Sequence, residues 1–177
     1  MRLRIGQSAP DFLVTDIRSG LPIRLDDFRG SKLLLSFHRY AACPFCNLHL
    51  HELSSQYPEF ESQGLKILAL FRSGVERTTE QYEGREIAFQ IGADPELSAY
   101  RSYGIERSTL GMCISFVHPR GLLAAAKGFW PGKIDADMRT LPADFLVTPD
   151  QKIAQAYYAT NITQHLRLSE VADFARS

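Results

Sequence analysis

Hydrophobic positions along this chain change period several times, and each change marks an element. Lys32-Leu-Leu-Leu-Ser-Phe37 and Leu65-Lys-Ile-Leu-Ala-Leu-Phe71 are continuous apolar runs of strand length, the pattern of strands covered on both faces. Between them Cys46, Leu50, Leu53, Tyr57 and Phe60 recur at spacings of 4, 3, 4 and 3, one stripe of a helix that ends near Gly64. Pro58 falls inside that stripe and predicts a kink or a split. Strand, helix, strand in this order predicts a right-handed crossover with the two strands parallel. Ahead of it, Phe12 to Ile17 and Pro22 to Leu25 read as a hairpin turned at Ser19-Gly20.

After the second run, Ser73 to Tyr82 suits a helix and Ile87 to Ile91 a short strand. Asp94 as N-cap and Pro95 at the first helical position then open a helix running to Gly104. Ala143 to Thr148, the turn Pro149-Asp150, and Lys152 to Tyr158 form an antiparallel hairpin, followed by a last helix capped by Ser169. The segment Met112 to Phe129 is apolar but broken by Pro119, Gly121 and Gly128, so residues 105–138 read as an insertion with some helix. These elements predict one α/β domain over residues 1–177, with a mixed central sheet, an N-terminal hairpin and a helical insertion.

Composition narrows what such a domain does. The 177 residues are 45% hydrophobic and 23% charged, ordinary for a chain with a packed core. Twenty Lys and Arg balance twenty Asp and Glu, which removes the electrostatic argument for nucleic acid or an anionic membrane as partner. No apolar run approaches the ~20 residues that cross a bilayer, and the first residues lack the apolar stretch of a signal peptide. Three cysteines do not make a disulfide framework. The expectation is a cytoplasmic protein.

The chemistry centres on Cys43-Pro44-Phe45-Cys46, between the end of a buried strand and the start of a helix. In a βαβ unit, C-x-x-C reads as a thiol–disulfide redox site. Cys43 as N-cap sits beside the free amides of the first turn, whose dipole favours its thiolate, and Pro44 suits the first helical position. Cys46 lies over the same turn, within reach of a disulfide. Cys43 would attack and Cys46 would resolve the mixed disulfide. Two other readings compete. One is a zinc site joining the pair to His49, with a fourth ligand from His38, His51 or Cys113. The other is a pair of inert buried thiols. Strand-then-helix context favours redox chemistry and calls for no metal or cofactor. His49 and His51 are expected on the exposed or amphipathic side of the helix. Arg39 and Arg72 both follow buried strands, at the carboxyl edge where α/β sites form; either could bind a thiolate or peroxide oxygen, or simply be solvated, and Arg139 is a weaker candidate. Cys113 reads as a small buried hydrophobe. For Phe129, Trp130 and Met112, core filling is the default, with an apolar cover or a homodimer contact as alternatives.

Together these motifs resemble a family. Phe37-His-Arg-Tyr-Ala-Ala-Cys-Pro-Phe-Cys46 ahead of a Leu-rich helix resembles the thioredoxin superfamily, and more narrowly its peroxiredoxin-like AhpC/TSA branch. Ile5-Gly-Gln-Ser-Ala-Pro-Asp-Phe12 is similar to that branch's G-x-x-A-P-x-F opening, Leu25-Asp-Asp-Phe-Arg-Gly30 to its next turn, and Leu141 to Asp150 to its late hairpin. The resemblance covers most of the chain except 105–138. It implies a thioredoxin-like three-layer sandwich and a thiol oxidoreductase acting on a peroxide or a disulfide. It also implies a thioredoxin- or glutathione-type reductant and a cis Leu141–Pro142 bond facing Cys43. One departure stands out. The branch carries P-x-x-x-T-x-x-C; with Cys46 in the last place the Thr and Pro positions hold Cys43 and Arg39, and with Cys43 there they hold Tyr40 and Ser36.

Overall fold

The computed structural model describes residues 2–110 and 119–177. Seven strands form one mixed sheet in the order β2-β1-β5-β4-β3-β6-β7: β1 (Leu13–Asp16), β2 (Pro22–Arg24), β3 (Lys32–Phe37), β4 (Leu65–Phe71), β5 (Gln90–Ala93), β6 (Ala143–Val147) and β7 (Ile153–Tyr158). The two continuous apolar runs are the central pair β3 and β4. They are parallel from Lys32 opposite Leu65 to Phe37 opposite Leu70, as the crossover rule requires. β6 lies antiparallel on the other side of β3, with Phe37 opposite Ala143 and Ser36 opposite Asp144.

Both faces of the sheet are covered, which is why its central strands carry no solvent face. Leu34, Ile67 and Leu146 point to one side with Leu50, Leu53, Tyr57 and Phe60 of α1 (Pro44–Ser62), Tyr82 of α2 (Val75–Tyr82) and Val171 of α5 (Leu168–Arg176). Leu33, Leu35, Phe37, Phe145 and Val147 point to the other, with Ala99 and Tyr100 of α3 (Ser98–Ser102) and Tyr103. The architecture is the expected sandwich of helices, mixed sheet and helix. Within the 105–138 insertion, Arg107 bridges to Thr140 and α4 (Pro119–Ala126) packs on α1. Cys113 and Met112 fall outside the described residues. No described helix is long and apolar enough to cross a membrane.

Several local expectations are corrected. α1 does not split at Pro58: it runs through as one 19-residue helix, with the proline exposed on its outer side, where a missing backbone bond costs least. Gly64 adopts φ +79° just past its end, the left-handed stop expected there. β5 starts at Gln90 rather than Ile87 because pairing with β4, Leu68 opposite Gln90 through Phe71 opposite Ala93, sets its limits. α3 starts at Ser98, not at Pro95: the Asp94 carboxylate still accepts from the Ser98, Ala99 and Tyr100 amides, but across a turn in which Leu97 has φ +58°. α5 begins one residue before Ser169, with Arg167 as N-cap. No cis peptide bond occurs among the described residues, so Leu141–Pro142 is trans; antiparallel pairing of β6 with β7, continued by the Pro142 carbonyl accepting from the Ala159 amide at 3.1 Å, carries the backbone through without one.

One glycine is required by packing. A Cβ on Gly92 of β5 would lie 2.7 Å from Leu70 Cδ2 and 3.0 Å from Val14 Cγ2. Gly92→Ala should therefore destabilise the protein by about 1–3 kcal/mol through overpacking, measured as a lower urea midpoint at unchanged m-value. An unchanged midpoint would mean that the β1–β5–β4 packing is looser than described.

Candidate functional site

The site grows from the end of β3. Six consecutive buried residues, His38 to Cys43, connect the strand to α1, and a buried loop must find partners for its backbone. His38 N–H donates to the Leu70 carbonyl at 2.8 Å, Arg72 N–H to the Arg39 carbonyl at 3.0 Å, and Cys43 N–H to the Tyr40 carbonyl at 3.0 Å. The Ala41 amide donates to Ser73 Oγ at 2.9 Å. The Asn47 side-chain amide closes the loop from the helix, donating to the Ala41 and Cys43 carbonyls at 2.9 and 2.8 Å, and its own oxygen accepts from Arg85 at 2.8 Å. Asn47 and Ser73 thus hold the cysteine loop in place. Sequence reading missed both, although Asn47 sits one helical turn after Cys43, where its side chain returns to the N-terminus.

Cys43 is the N-cap of α1 and Pro44 its first residue, as expected. Cys43 and Cys46 are both free thiols, and both are 0% exposed. Arg39 is also buried, at 1% exposure, not the solvated strand-end arginine that was one of its readings. Its Nη1 donates to Cys43 Sγ at 3.3 Å, its backbone N–H to Cys46 Sγ at 3.4 Å, and its Nη2 to the Met138 carbonyl. Its guanidinium lies 5.3 Å from the centre of the Tyr40 ring. Burial pushes the Cys43 thiol up, but the Cys46 thiol, the Arg39 charge and the Cys46 and Phe45 amides outweigh it and bring Cys43 down to about 6. Cys46 moves the opposite way, well above an ordinary thiol, through burial and the neighbouring Cys43. Two thiols of one motif are thereby divided into a thiolate and a protonated partner. Burial and the adjacent Cys43 push the Tyr40 phenol up to about 12, so it stays protonated at neutral pH.

Residues 129–138 cover this pair. The Gly132 amide faces the Ala42 carbonyl at 3.4 Å, and a Cβ there would sit 2.7 Å from the Ala42 Cβ. Ser73 Oγ donates to Asp135 at 2.9 Å, and Met138 receives Arg39. Beneath this cover lies a cavity of about 360 Å³, lined by Arg39, Tyr40, Pro44, Phe45, Trp130 and Ile134 among others. Trp130 is 71% exposed; it borders the cavity instead of filling the core, because the segment around it runs over the surface of α1 and the loop.

Four of the candidate residues thus come together: Cys43, Cys46, Arg39 and Tyr40. Arg72 stands apart, donating to Thr140 Oγ1 beside a separate small cavity with Tyr100 and Arg107. Pro142 is buried on the sheet, one residue beyond the Ala143–Phe37 pair, and Arg139 pairs with Asp137 at 3.0 Å. His51 is exposed as expected, but His49 is buried, at 3%. Among the described residues, no cluster of three metal-ligating groups includes either cysteine.

Comparison with known proteins agrees with this geometry. The model of the AhpC/TSA family matches residues 5–156. Thiol-disulfide oxidoreductase ResA of Bacillus thuringiensis subsp. konkukian is 29% identical over 108 residues, covering 59% of this chain and 60% of the relative. The chain therefore spans less than two thirds of that protein. Peroxiredoxin Bcp of Escherichia coli is 25% identical over 128 residues, covering 71% and 81%. Among solved structures, peroxidoxin BcpB of Mycobacterium tuberculosis superposes with a TM-score of 0.73 at 15% identity, covering 99% of this chain and 97% of that one. A DsbE-type thiol:disulfide interchange protein of Chlorobium tepidum superposes at 0.67 and 16% identity, covering 99% of each. The fold is that of thioredoxin-like proteins.

The site makes a pH-dependent forecast. Thiolate is the alkylating form, so iodoacetamide should modify Cys43 before Cys46, with a rate that rises with pH through about 6 and then levels. Arg39→Met removes a stabilising charge and should move that inflection upward by about 1–3 units. Peptide mapping after partial labelling checks the order; faster modification of Cys46 would reverse the two roles. Gly132→Val, by lifting the cover from Ala42, should raise the labelling rate of Cys43 at fixed pH.

Proposed function

The chain belongs to the AhpC/TSA family, and we propose that it is a thiol oxidoreductase that reduces peroxides, with Cys43 as nucleophile and Cys46 as resolving thiol. The observation that carries this reading is the buried Cys43–Arg39 contact at 3.3 Å, with Cys46 on the same turn held protonated. The Cys43 thiolate attacks the distal peroxide oxygen, the O–O bond breaks, and the departing alkoxide or hydroxide takes up a proton from solvent to leave as alcohol or water. Cys43 is then a sulfenic acid. The Cys46 sulfur attacks Cys43, expelling the hydroxyl as water and closing a disulfide. An external thiol reductant, one dithiol of the thioredoxin type or two monothiols of the glutathione type, returns the pair to the reduced state and is itself oxidised to a disulfide. Arg39, one donor already on the sulfur, stabilises negative charge as it moves to the leaving oxygen.

Access favours a small substrate. Both sulfurs are fully covered, and the approach is through the cavity beside Tyr40, Phe45, Trp130 and Ile134. Those walls suit an organic hydroperoxide with an apolar group, its peroxide end toward Arg39. A second reading, reduction of protein disulfides, draws on the C-x-x-C pair and on the missing P-x-x-x-T-x-x-C pattern. It requires the 129–138 cover to lift, since an extended chain cannot reach a buried sulfur.

Stopped-flow oxidation of the reduced protein separates the two. Cumene hydroperoxide should oxidise it with a larger second-order rate constant than hydrogen peroxide. Trp130→Ala should narrow that preference by roughly 10-fold, the order of a lost apolar contact of 1–3 kcal/mol, while leaving the hydrogen peroxide rate unchanged. Cys43→Ser should abolish oxidation, and Cys46→Ser should stop at a trappable sulfenic acid. Slow reaction with both peroxides alongside rapid reduction of a protein disulfide would assign the second reading instead.

A further inference from the structure

A second buried polar centre lies under α1, away from the cysteines. The alternation of β3 and β6 turns Ser36 and Asp144 to the α1 side of the sheet, where Ser36 Oγ donates to Asp144 Oδ1 at 2.5 Å. His49 reaches it from α1, one turn after Cys46, and His165 from the segment before α5. His165 Nδ1 is 3.1 Å from Asp144 Oδ2, with side-chain exposures of 3% and 1%. The Asp144 carboxylate also accepts from the Leu166 amide at 2.7 Å. His38 joins through Ser36 Oγ, 3.1 Å from its Nε2, with its ring 4.9 Å from that of His165.

Three imidazoles and a carboxylate in an apolar interior are costly unless every polar atom is used. Here they are not all used: among the described residues, His165 Nε2 and His38 Nδ1 are buried without a hydrogen-bond partner. Burial in the apolar interior holds His49 down at about 4 and His38 well below an ordinary histidine. Burial raises the Asp144 carboxyl, but His165, His49 and Ser36 together hold it well below the usual carboxylate range.

We propose that His49, His165 and Asp144 form a binding site for a first-row divalent metal ion such as zinc, separate from the cysteine pair. One ligand atom from each lies within 4.8 Å of the others. Neutral imidazole nitrogens with a carboxylate select zinc, cobalt, nickel or iron(II) over calcium or magnesium. Supporting contacts surround the ligands: Ser36 and the Leu166 amide hold Asp144, and Glu52 Oε2 lies 3.7 Å from His49 Nδ1. A cavity of about 280 Å³ lined by His49, Glu52, Arg120, His165 and Leu166–Leu168 provides the access route. The His49 and His165 rings stack, with centroids 3.8 Å apart and planes at 10°. Lone pairs lie in the ring planes, so stacked rings cannot converge on one ion. Binding therefore rotates one imidazole out of the stack and draws the three ligands in.

The test uses tag-free, chelator-treated protein titrated with zinc or cobalt(II). One equivalent should bind per chain. The cobalt form should show visible ligand-field bands without the intense near-ultraviolet thiolate charge-transfer band. Cys43→Ser/Cys46→Ser should bind as wild type does, and His49→Gln or His165→Gln should weaken binding by more than about 100-fold, beyond what outer-shell partners are worth. If a histidine variant does not fold, as judged by circular dichroism, the wild-type cobalt spectrum decides. No uptake by the folded wild type, a thiolate band, or uptake lost with the cysteines would overturn the proposal, and none of these results touches the peroxide kinetics above.

Discussion

A guanidinium and a thiolate, both out of contact with water, set the terms for this site. Taking each charge out of water costs several kcal/mol, and a pair survives burial only when the contacts are close and the remaining polar atoms are used. A guanidinium buried at 1% exposure, as that of Arg39 is, demands a neighbouring anion. Cys43 supplies it at 3.3 Å. The same pairing favours the ionised form of Cys43 against its burial and the protonated form of Cys46, so the two thiols are shifted in opposite directions within one helical turn. In the proposed cycle, closing the disulfide would remove the negative charge and leave the guanidinium with the Met138 carbonyl. The chemistry of the pair and the anchoring of its cover are thus one electrostatic arrangement.

That arrangement depends on a loop with almost no freedom. His38 to Cys43 are all buried, and their carbonyls and amides are taken up by β4, Ser73, Asn47 and Tyr82. Asn47 is in turn held by Arg85, and Ser73 bonds both the loop and Asp135 of the cover. A single hydroxyl therefore relates the position of the cysteine loop to that of the segment above it. The apolar character of the adjacent cavity follows from the same residues, since Phe45 and Pro44 belong to the motif itself and Trp130 and Ile134 to the cover.

Helix α1 serves two centres. Its N-terminus carries the cysteines, where unpaired amides favour an anion. One turn on, His49 faces the sheet at Ser36 and Asp144, polar residues that the strand period placed on an otherwise apolar face. A serine in a buried strand would be an isolated polar group; opposite Asp144 it becomes one contact in a network of histidines.

The sequence by itself determined the elements that depend on local pattern. The apolar runs of β3 and β4 and the 4-3-4-3 stripe of α1 were legible to the residue or nearly so, because backbone period and side-chain burial are tied along a single segment. The C-x-x-C motif at a strand–helix junction was legible for the same reason: N-cap placement is a local property, and it already favoured Cys43 as the thiolate. Only the tertiary structure decided the limits of β5, which its pairing with β4 sets, and the start of α3, which Asp94 caps across a turn. It also decided that Leu141–Pro142 is trans, that Arg39 reaches the sulfur while Arg72 turns to Thr140, and that His49 is buried. Apart from the Asp94 cap, each of these outcomes depends on partners tens of residues or more away, such as Met138 for Arg39 and Asp144 and His165 for the polar centre that holds His49. Spacing within one segment carries no information about a partner brought close by the closing of the sheet.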